Sequence, residues 1–268
     1  MAKATIPSLR PGSILLGVYA AVVLLSLYLP IALVAVLSVN DAPVTGFPLR
    51  GFTLQWYATV FESSVLVRAI FNSLALGVVS ASIATLLALL LALAFRREFP
   101  FKGAVLNLLL IPIILPGIIA GATILLLFQL LGIPIGLWTS ALCAHVTCIL
   151  PFAFLNIHPR LHGFDRAIEE AAADLGASPR QVVTNIVLPV IGPGIIAAWL
   201  FAFSLSFDEF VRTLLLTSYD RTLPIQFWYM VVESLAPEAP AMAVIIIIIS
   251  VTSSLIGFGI TSRTAAKA

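Results

Sequence analysis

Two adjacent carboxylates, Asp208 and Glu209, stand inside an otherwise apolar stretch running from Gly192 to Leu216. An ionisable side chain at membrane depth is costly unless partnered, and it usually marks a pathway or an ion pair. Arg212 follows at i+4 from Asp208 and i+3 from Glu209, within reach of either on a helix. Pairing one acid with Arg212 leaves one net negative charge. On an unbroken helix Asp208 would lie about 12 Å inside the end at Leu216. Neighbouring residues point about 100° apart, so the two acids cannot face one path equally. Two readings follow: one acid draws a cationic group into a path, or the acids and Arg212 form an ion-paired strut between subunits. Tyr229, with Trp228 beside it, offers a ring face for a cation or an anchor at a membrane interface.

Other polar side chains carry less. His145 lies among apolar residues, where an interhelical hydrogen bond competes with proton relay. His158 and His162 sit four apart, but Pro159 between them disturbs the helix that would align them, and no third ligand is evident, so no metal site is assigned. Cys143 and Cys148 fit neither a redox pair nor a zinc set and read as small buried hydrophobes. No Gly-x-x-x-x-Gly-Lys-Ser/Thr loop, HExxH or nucleophile elbow occurs. The chain is therefore not expected to bind nucleotide or to be an enzyme.

The elements that must position these residues are membrane helices. Only 10% of the 268 residues are charged, 61% are apolar, and the mean hydropathy is +1.13. A water-facing domain carries about 25% charged residues. The net charge of +2, with no aromatic-interleaved basic cluster, excludes nucleic-acid binding as the expected role. Six segments are long enough to cross a bilayer, near Ser13–Val39, Ala69–Phe95, Ala104–Leu131, Ile135–Ile157, Gly192–Leu216 and Ala241–Ile260. The first is read as a retained span, because no small-residue cleavage site ends it.

Placing both termini in the cytoplasm puts Lys3, Arg10, Arg96, Arg97, Lys102, Arg160, Arg166, Arg180, Arg263 and Lys267 inside, against Arg50, Arg68, Arg212 and Arg221 outside. Trp56, Tyr57, Trp138, Trp228 and Tyr229 then fall near outer span ends, and Leu54, Tyr57 and Phe61 share a face of a short interfacial helix. Pro112 and Pro116, followed by Gly117 and Gly121, kink the third span. The kink either faces a water-filled path or serves packing through a close glycine contact. The whole of 1–268 reads as one membrane domain.

The loop from His158 to Pro189 holds Asp165, Glu169, Glu170 and Asp174, four of the twelve acidic residues. Asp165 caps a short helix whose early turns carry Glu169 and Glu170 near the positive end of the helix dipole. Gly176 supplies a left-handed stop. Ser178 and Gln181 form a capping box around Pro179, starting a second short helix, and Pro189 marks the return to the membrane. The result is a compact knob.

The run Glu170-Ala171-Ala172, then Gly176, Ile186 and Leu188-Pro189, resembles the EAA motif of the permeases of binding-protein-dependent ABC importers, with matching spacing on both sides of the glycine. The likeness covers roughly residues 51–262: Gly51-Phe52-Thr53-Leu54 with Tyr57 and Phe61, Asn72-Ser73-Leu74, and Ser206-Phe207-Asp208-Glu209-Phe210. The last run is similar to the polyamine and opine subgroup, and six spans with a short N-terminal tail resemble its second permease. The resemblance implies an all-α, type I ABC importer permease fold with the knob as a coupling helix, in the bacterial inner membrane. It implies Glu169, Glu170, Ala171, Ala172 and Gly176 at the ATPase contact, and Asp208, Glu209 and Tyr229 along the substrate pathway. It also implies two ATPase subunits that use ATP and Mg, a second homologous permease and an extracytoplasmic solute-binding protein. No cofactor is expected on this chain. The rival reading is an ion-gradient-driven transporter or channel using Asp208, Glu209 and His145; such transporters often carry inverted repeats, and none is visible here.

Overall fold

The computed structural model describes residues 11–265, with side chains from residue 14 to residue 260. Lys3, Arg10 and Lys267, and the side chain of Arg263, lie outside the described residues. Those described are helical apart from loops and one isolated bridge between Asn40 and Phe52. The helices are α1 (Pro11–Leu37), α2 (Gln55–Glu62), α3 (Ser64–Ala94), α4 (Lys102–Ile114), α5 (Gly117–Leu130), α6 (Leu142–His162), α7 (Arg166–Asp174), α8 (Pro179–Val182), α9 (Leu188–Phe207), α10 (Val211–Leu216), α11 (Leu223–Tyr229) and α12 (Ala239–Ala265).

The core is the packing of α3 against α6 and α9, with α12 laid on α9. Small residues make it possible. On α3, Ala81, Ala84, Ala88 and Ala92 are completely buried, and their spacing keeps them on one face. Apolar side chains gain little by leaving lipid for protein, so close backbone approach and van der Waals contact hold such helices together. The fit is tight: a Cβ added to Gly77 would lie 2.9 Å from the Phe203 ring.

Contacts along the core set the helix directions. Leu76, early in α3, clusters with Leu137, Ala141 and Ala144 at the start of the α6 span. Ala88, Ala92 and Phe95, at the far end of α3, cluster with Phe154, Ile157 and Leu161 at the far end of α6. Thus α3 and α6 run parallel, and the chain between them must return across the full thickness. That return is α4 plus α5, bent by 109°. The bent pair is therefore one broken crossing, which with five continuous spans makes six among the described residues. Pro116 causes the break. The residue before it, Leu115, is extended with ψ 127°, as a proline demands of its predecessor. Pro112, by contrast, stays within α4. With α9 and α12 antiparallel to their neighbours, residues 11 and 265 lie at the same end of the molecule as α7.

Three expectations change here. The predicted second short helix ending before Pro189 is the first turn of a continuous Pro179–Phe207 span. A π-helical turn at Val183–Val187 leads into Pro189 without a break, widening the ladder just where the proline lacks an N–H. Likewise α6 carries Pro159 and runs to His162, so the loop is shorter than 158–189. The predicted interfacial helix is α2, but of the predicted face Leu54, Tyr57 and Phe61 only Leu54 and Phe61 are exposed. Tyr57 turns inward, its hydroxyl 2.8 Å from the Ser38 Oγ, and the Trp56 indole donates to the Asn40 carbonyl at 2.8 Å.

Candidate functional site: the α7 knob and the break after α9

The knob is built as its residue types dictate. The Asp165 carboxylate accepts from the Ala167 N–H at 2.9 Å. At the other end Gly176 has φ +86°. The N–H groups of Gly176 and Ala177 reach back to the carbonyls of Ala173 and Ala172 at 2.9 and 3.0 Å, a Schellman closure. Ser178 and Gln181 then form the reciprocal capping box with Pro179 at the first turn of α8. Ala172 and Ala177 pack down on the cluster that contains Val182, Val187 and Ile191.

The acidic residues of α7 part company. Glu169 receives both guanidinium branches of Arg96, from the end of α3, while Arg166 donates to the Arg96 carbonyl at 3.3 Å. Glu169 therefore ties the knob to its own transmembrane body. Glu170 is exposed. So are Ala171, Ile168 at 48% and Leu175 at 91%. Residues 168, 171 and 175 fall on one helical face, which leaves an apolar stripe flanked by Glu170 and Asp174. Behind the knob is a recess of about 1010 Å³ lined by Arg96, Arg97, Glu169 and Val182, among others.

The second locus is the break between α9 and α10. The segment Gly192–Leu216, predicted as one helix, stops at Phe207 and restarts at Val211. No proline or glycine does this. Glu209 does: its carboxylate accepts the Arg212 N–H at 2.9 Å, and the Arg212 guanidinium donates back at 2.5 Å. A side chain that captures the backbone N–H of the residue three ahead competes with helix propagation. Both partners are largely buried, each side chain 13% exposed. Asp208 points elsewhere and accepts from the Ser250 hydroxyl of α12 at 2.6 Å. Of the two pairings open to Arg212, the structure shows the one with Glu209. Asp208, Glu209, Arg212, Ser204 and Ser254 line a groove of about 510 Å³. Tyr229 is not among its lining residues, and its ring is covered by the Arg221 guanidinium 3.6 Å from the centroid. Trp228 leans on Phe210 at 5.5 Å.

Two further features hold the break in place. Gly117 and Gly121 of α5 lie on α10, where a Cβ at Gly121 would come within 3.2 Å of the Arg212 Cα. The proline–glycine kink thus provides a close contact for the segment carrying Arg212. The second feature is a buried polar chain around His145, for which the sequence offered an interhelical hydrogen bond as one reading but not its partners. Nδ1 lies 2.6 Å from the Ser206 Oγ and Nε2 lies 2.7 Å from the Thr213 Oγ1. Ser206 in turn meets Ser80 at 2.7 Å, and Thr213 donates to the Glu209 carbonyl at 3.0 Å. His145 thereby ties the last turn of α9 and the first turns of α10 to α6 and α3. Only the burial of a lone histidine in an apolar segment signalled this; its partners are 61 and 68 residues away in sequence. His158, by contrast, stacks on Phe154 at 4.9 Å, with its ring centroid 6.0 Å from that of His162.

Comparison with known proteins now bears on both loci. Residues 84–265 match the family described as binding-protein-dependent transport system inner membrane component. The chain is 37% identical over 242 residues to the spermidine/putrescine transport system permease protein PotC of Escherichia coli (strain K12), covering 89% of this chain and 90% of that one. It is 32% identical over 230 residues to the putrescine transport system permease protein PotI of the same organism, covering 82% and 81%. In fold it is similar to a chain of a bacterial ABC transporter involved in the import of the acidic polysaccharide alginate, with a TM-score of 0.72 at 16% identity over 93% of this chain and 95% of that one. Six apolar crossings in a type I importer permease fold, together with this family match, lead to one conclusion: the chain belongs to the binding-protein-dependent transport system inner membrane components and is a multi-pass inner-membrane ABC permease.

Proposed function

We propose that this permease forms half of an inward path for polyamines or related small amino compounds, driven by a separate ATPase that docks on the α7 knob. The observation that carries the docking is the exposed stripe Ile168, Ala171 and Leu175 beside Glu170, projecting from the membrane body on a helix locked at both ends. A contiguous apolar stripe rimmed by charge fits a groove on another protein. In this reading Glu170, Ala171 and the corner at Gly176 meet the ATPase, while Glu169 and Ala172 hold the knob to α3 and α9. Two ATPase subunits supply nucleotide hydrolysis with Mg, and this chain binds no cofactor. A second, homologous permease closes the path, and a solute-binding protein delivers the cargo. The knob end is cytoplasmic: Arg96, Arg97, Lys102, Arg160, Arg166 and Arg180 cluster there, whereas Arg50, Arg68 and Arg221 stand at the other end.

The polyamine assignment is supported by the PotC and PotI relatives and by Asp208, whose charge has no ion-pair partner among the described residues. With Glu209 neutralised by Arg212, Asp208 is the acid left to attract a cationic amine along the groove. Uptake of labelled spermidine into liposomes holding the complete transporter and its binding protein tests this. Uptake that requires ATP on the knob side and is lost with Asp208→Asn supports the reading. Uptake driven by an ion gradient without ATP would favour the gradient-driven alternative.

A further inference from the structure

The groove that holds Asp208 does not end there. Phe201 and Ser254 line it, and both also line a second recess of about 300 Å³ between α6, α9 and α12, bounded by Asn156, Arg160, Gly194 and Gly257, among others. The two recesses are therefore continuous. Asn156, Ser254 and Asp208 are exposed along them. Polar side chains bared at membrane depth meet water or protein, not lipid, so this face belongs to the path.

Its end near the knob is built around one cation. Arg160, in the last turn of α6, lies against the bare backbone of Gly194 in α9. A Cβ added at Gly194 would come 2.6 Å from the Arg160 Nε and 2.9 Å from its Cζ. Glycine inside a helix is unfavourable relative to alanine; here it makes the room that Arg160 fills. All twelve acidic residues are among those described, and Arg160 forms an ion pair with none of them. Asp165, the acid nearest to it in sequence, caps α7 instead. Gly194 and Asp208 are fourteen residues apart on α9, about 21 Å along its axis. The path thus runs from an acid without an ion pair to a guanidinium without one.

A fixed guanidinium raises the electrostatic potential around it and opposes cations, as positive residues do in pores that exclude them. We propose that Arg160 is a specificity-determining residue at the cytoplasmic end of the path. Its charge weakens the hold of the groove on a cationic amine from that side, so that delivered polyamine leaves and is not recaptured. Any part of the cargo that moves inward from Asp208 meets this charge. The proposal rests on the polyamine-importer reading, with Asp208 as the acid that attracts the cargo and the knob end in the cytoplasm.

The test is equilibrium binding of labelled spermidine to the complete transporter in nanodiscs, without nucleotide and without the binding protein. Arg160→Gln should bind about threefold more tightly or better, because a repulsive charge has been removed, and Arg160→Glu more tightly still. Arg160→Lys should stay near wild type. Raising the salt concentration should narrow the gap between wild type and Arg160→Gln, since screening weakens the repulsion. Equal affinities in wild type and Arg160→Gln overturn the proposal, as does an equal gain in Arg160→Lys, which would mean space and not charge. Asp208→Asn separates this proposal from the reading beneath it. Spermidine binding that survives Asp208→Asn unchanged contradicts the polyamine path itself, whereas binding lost with Asp208→Asn but indifferent to Arg160 sinks only the charge barrier.

Discussion

At the scale of single residues, Asp208 and Glu209 show how adjacent acids acquire different roles. Glu209 is tied to Arg212 through both backbone and side chain, Asp208 only to a serine hydroxyl. Removing one partner of a buried ion pair leaves an uncompensated charge, at about 3–5 kcal/mol. Glu209→Gln should therefore lower the thermal stability of the purified complex markedly, whereas Asp208→Asn should leave stability near wild type and abolish spermidine uptake. Paired melting and uptake measurements separate the two; similar melting losses in both variants would contradict the division. His145→Phe should cost about 1–3 kcal/mol, since the buried Ser206 and Thr213 hydroxyls each lose one hydrogen bond while keeping their bonds to Ser80 and the Glu209 carbonyl, and denaturant unfolding of the purified permease measures it. The acids were legible in the sequence because charge is conspicuous in an apolar segment. Which acid meets Arg212 was not, because it depends on a helix break made by a side chain and not by proline or glycine. The partners of His145 were hidden for another reason: hydroxyls on two other helices carry no local pattern.

At the scale of elements, small residues decide how closely helices approach. Ala84 is fully buried between α3 and its neighbours, so Ala84→Leu should overpack the core and destabilise the protein by about 1–3 kcal/mol, visible as a lower melting temperature. Gly176→Val places a branched side chain at φ +86° and should cost about 1–2 kcal/mol at the knob, read as faster local hydrogen exchange over residues 172–180. The caps of α7 and α8 were legible because Asp165, Gly176, Ser178 and Gln181 signal locally. The third span was legible as apolar and kinked, but not its 109° bend. That angle is set by α5 laying Gly117 and Gly121 on α10, a contact between segments far apart in sequence. The continuity of α8 into α9 was hidden because Pro189 reads as a boundary, while the π-helical turn before it absorbs the missing N–H.

At the scale of the whole molecule, the parallel run of α3 and α6 forces α4 and α5 to form one crossing, so both ends of the described chain share the knob's side. Hydropathy alone revealed the number of crossings, because lipid selects strongly on composition. It could not reveal what covers α1, which is wholly unburied over its apolar window, or the exposed stripe on α7, because neither surface is buried within this chain. The central claim is that α7 couples this permease to an ATPase. Its most direct test is co-purification of the operon-encoded complex through a tag on this chain, with wild type beside the double variant Glu170→Lys, Gly176→Trp. The account predicts an ATPase bound to wild type and lost from the variant, with the second permease retained in both. An ATPase held equally well by the variant would contradict it.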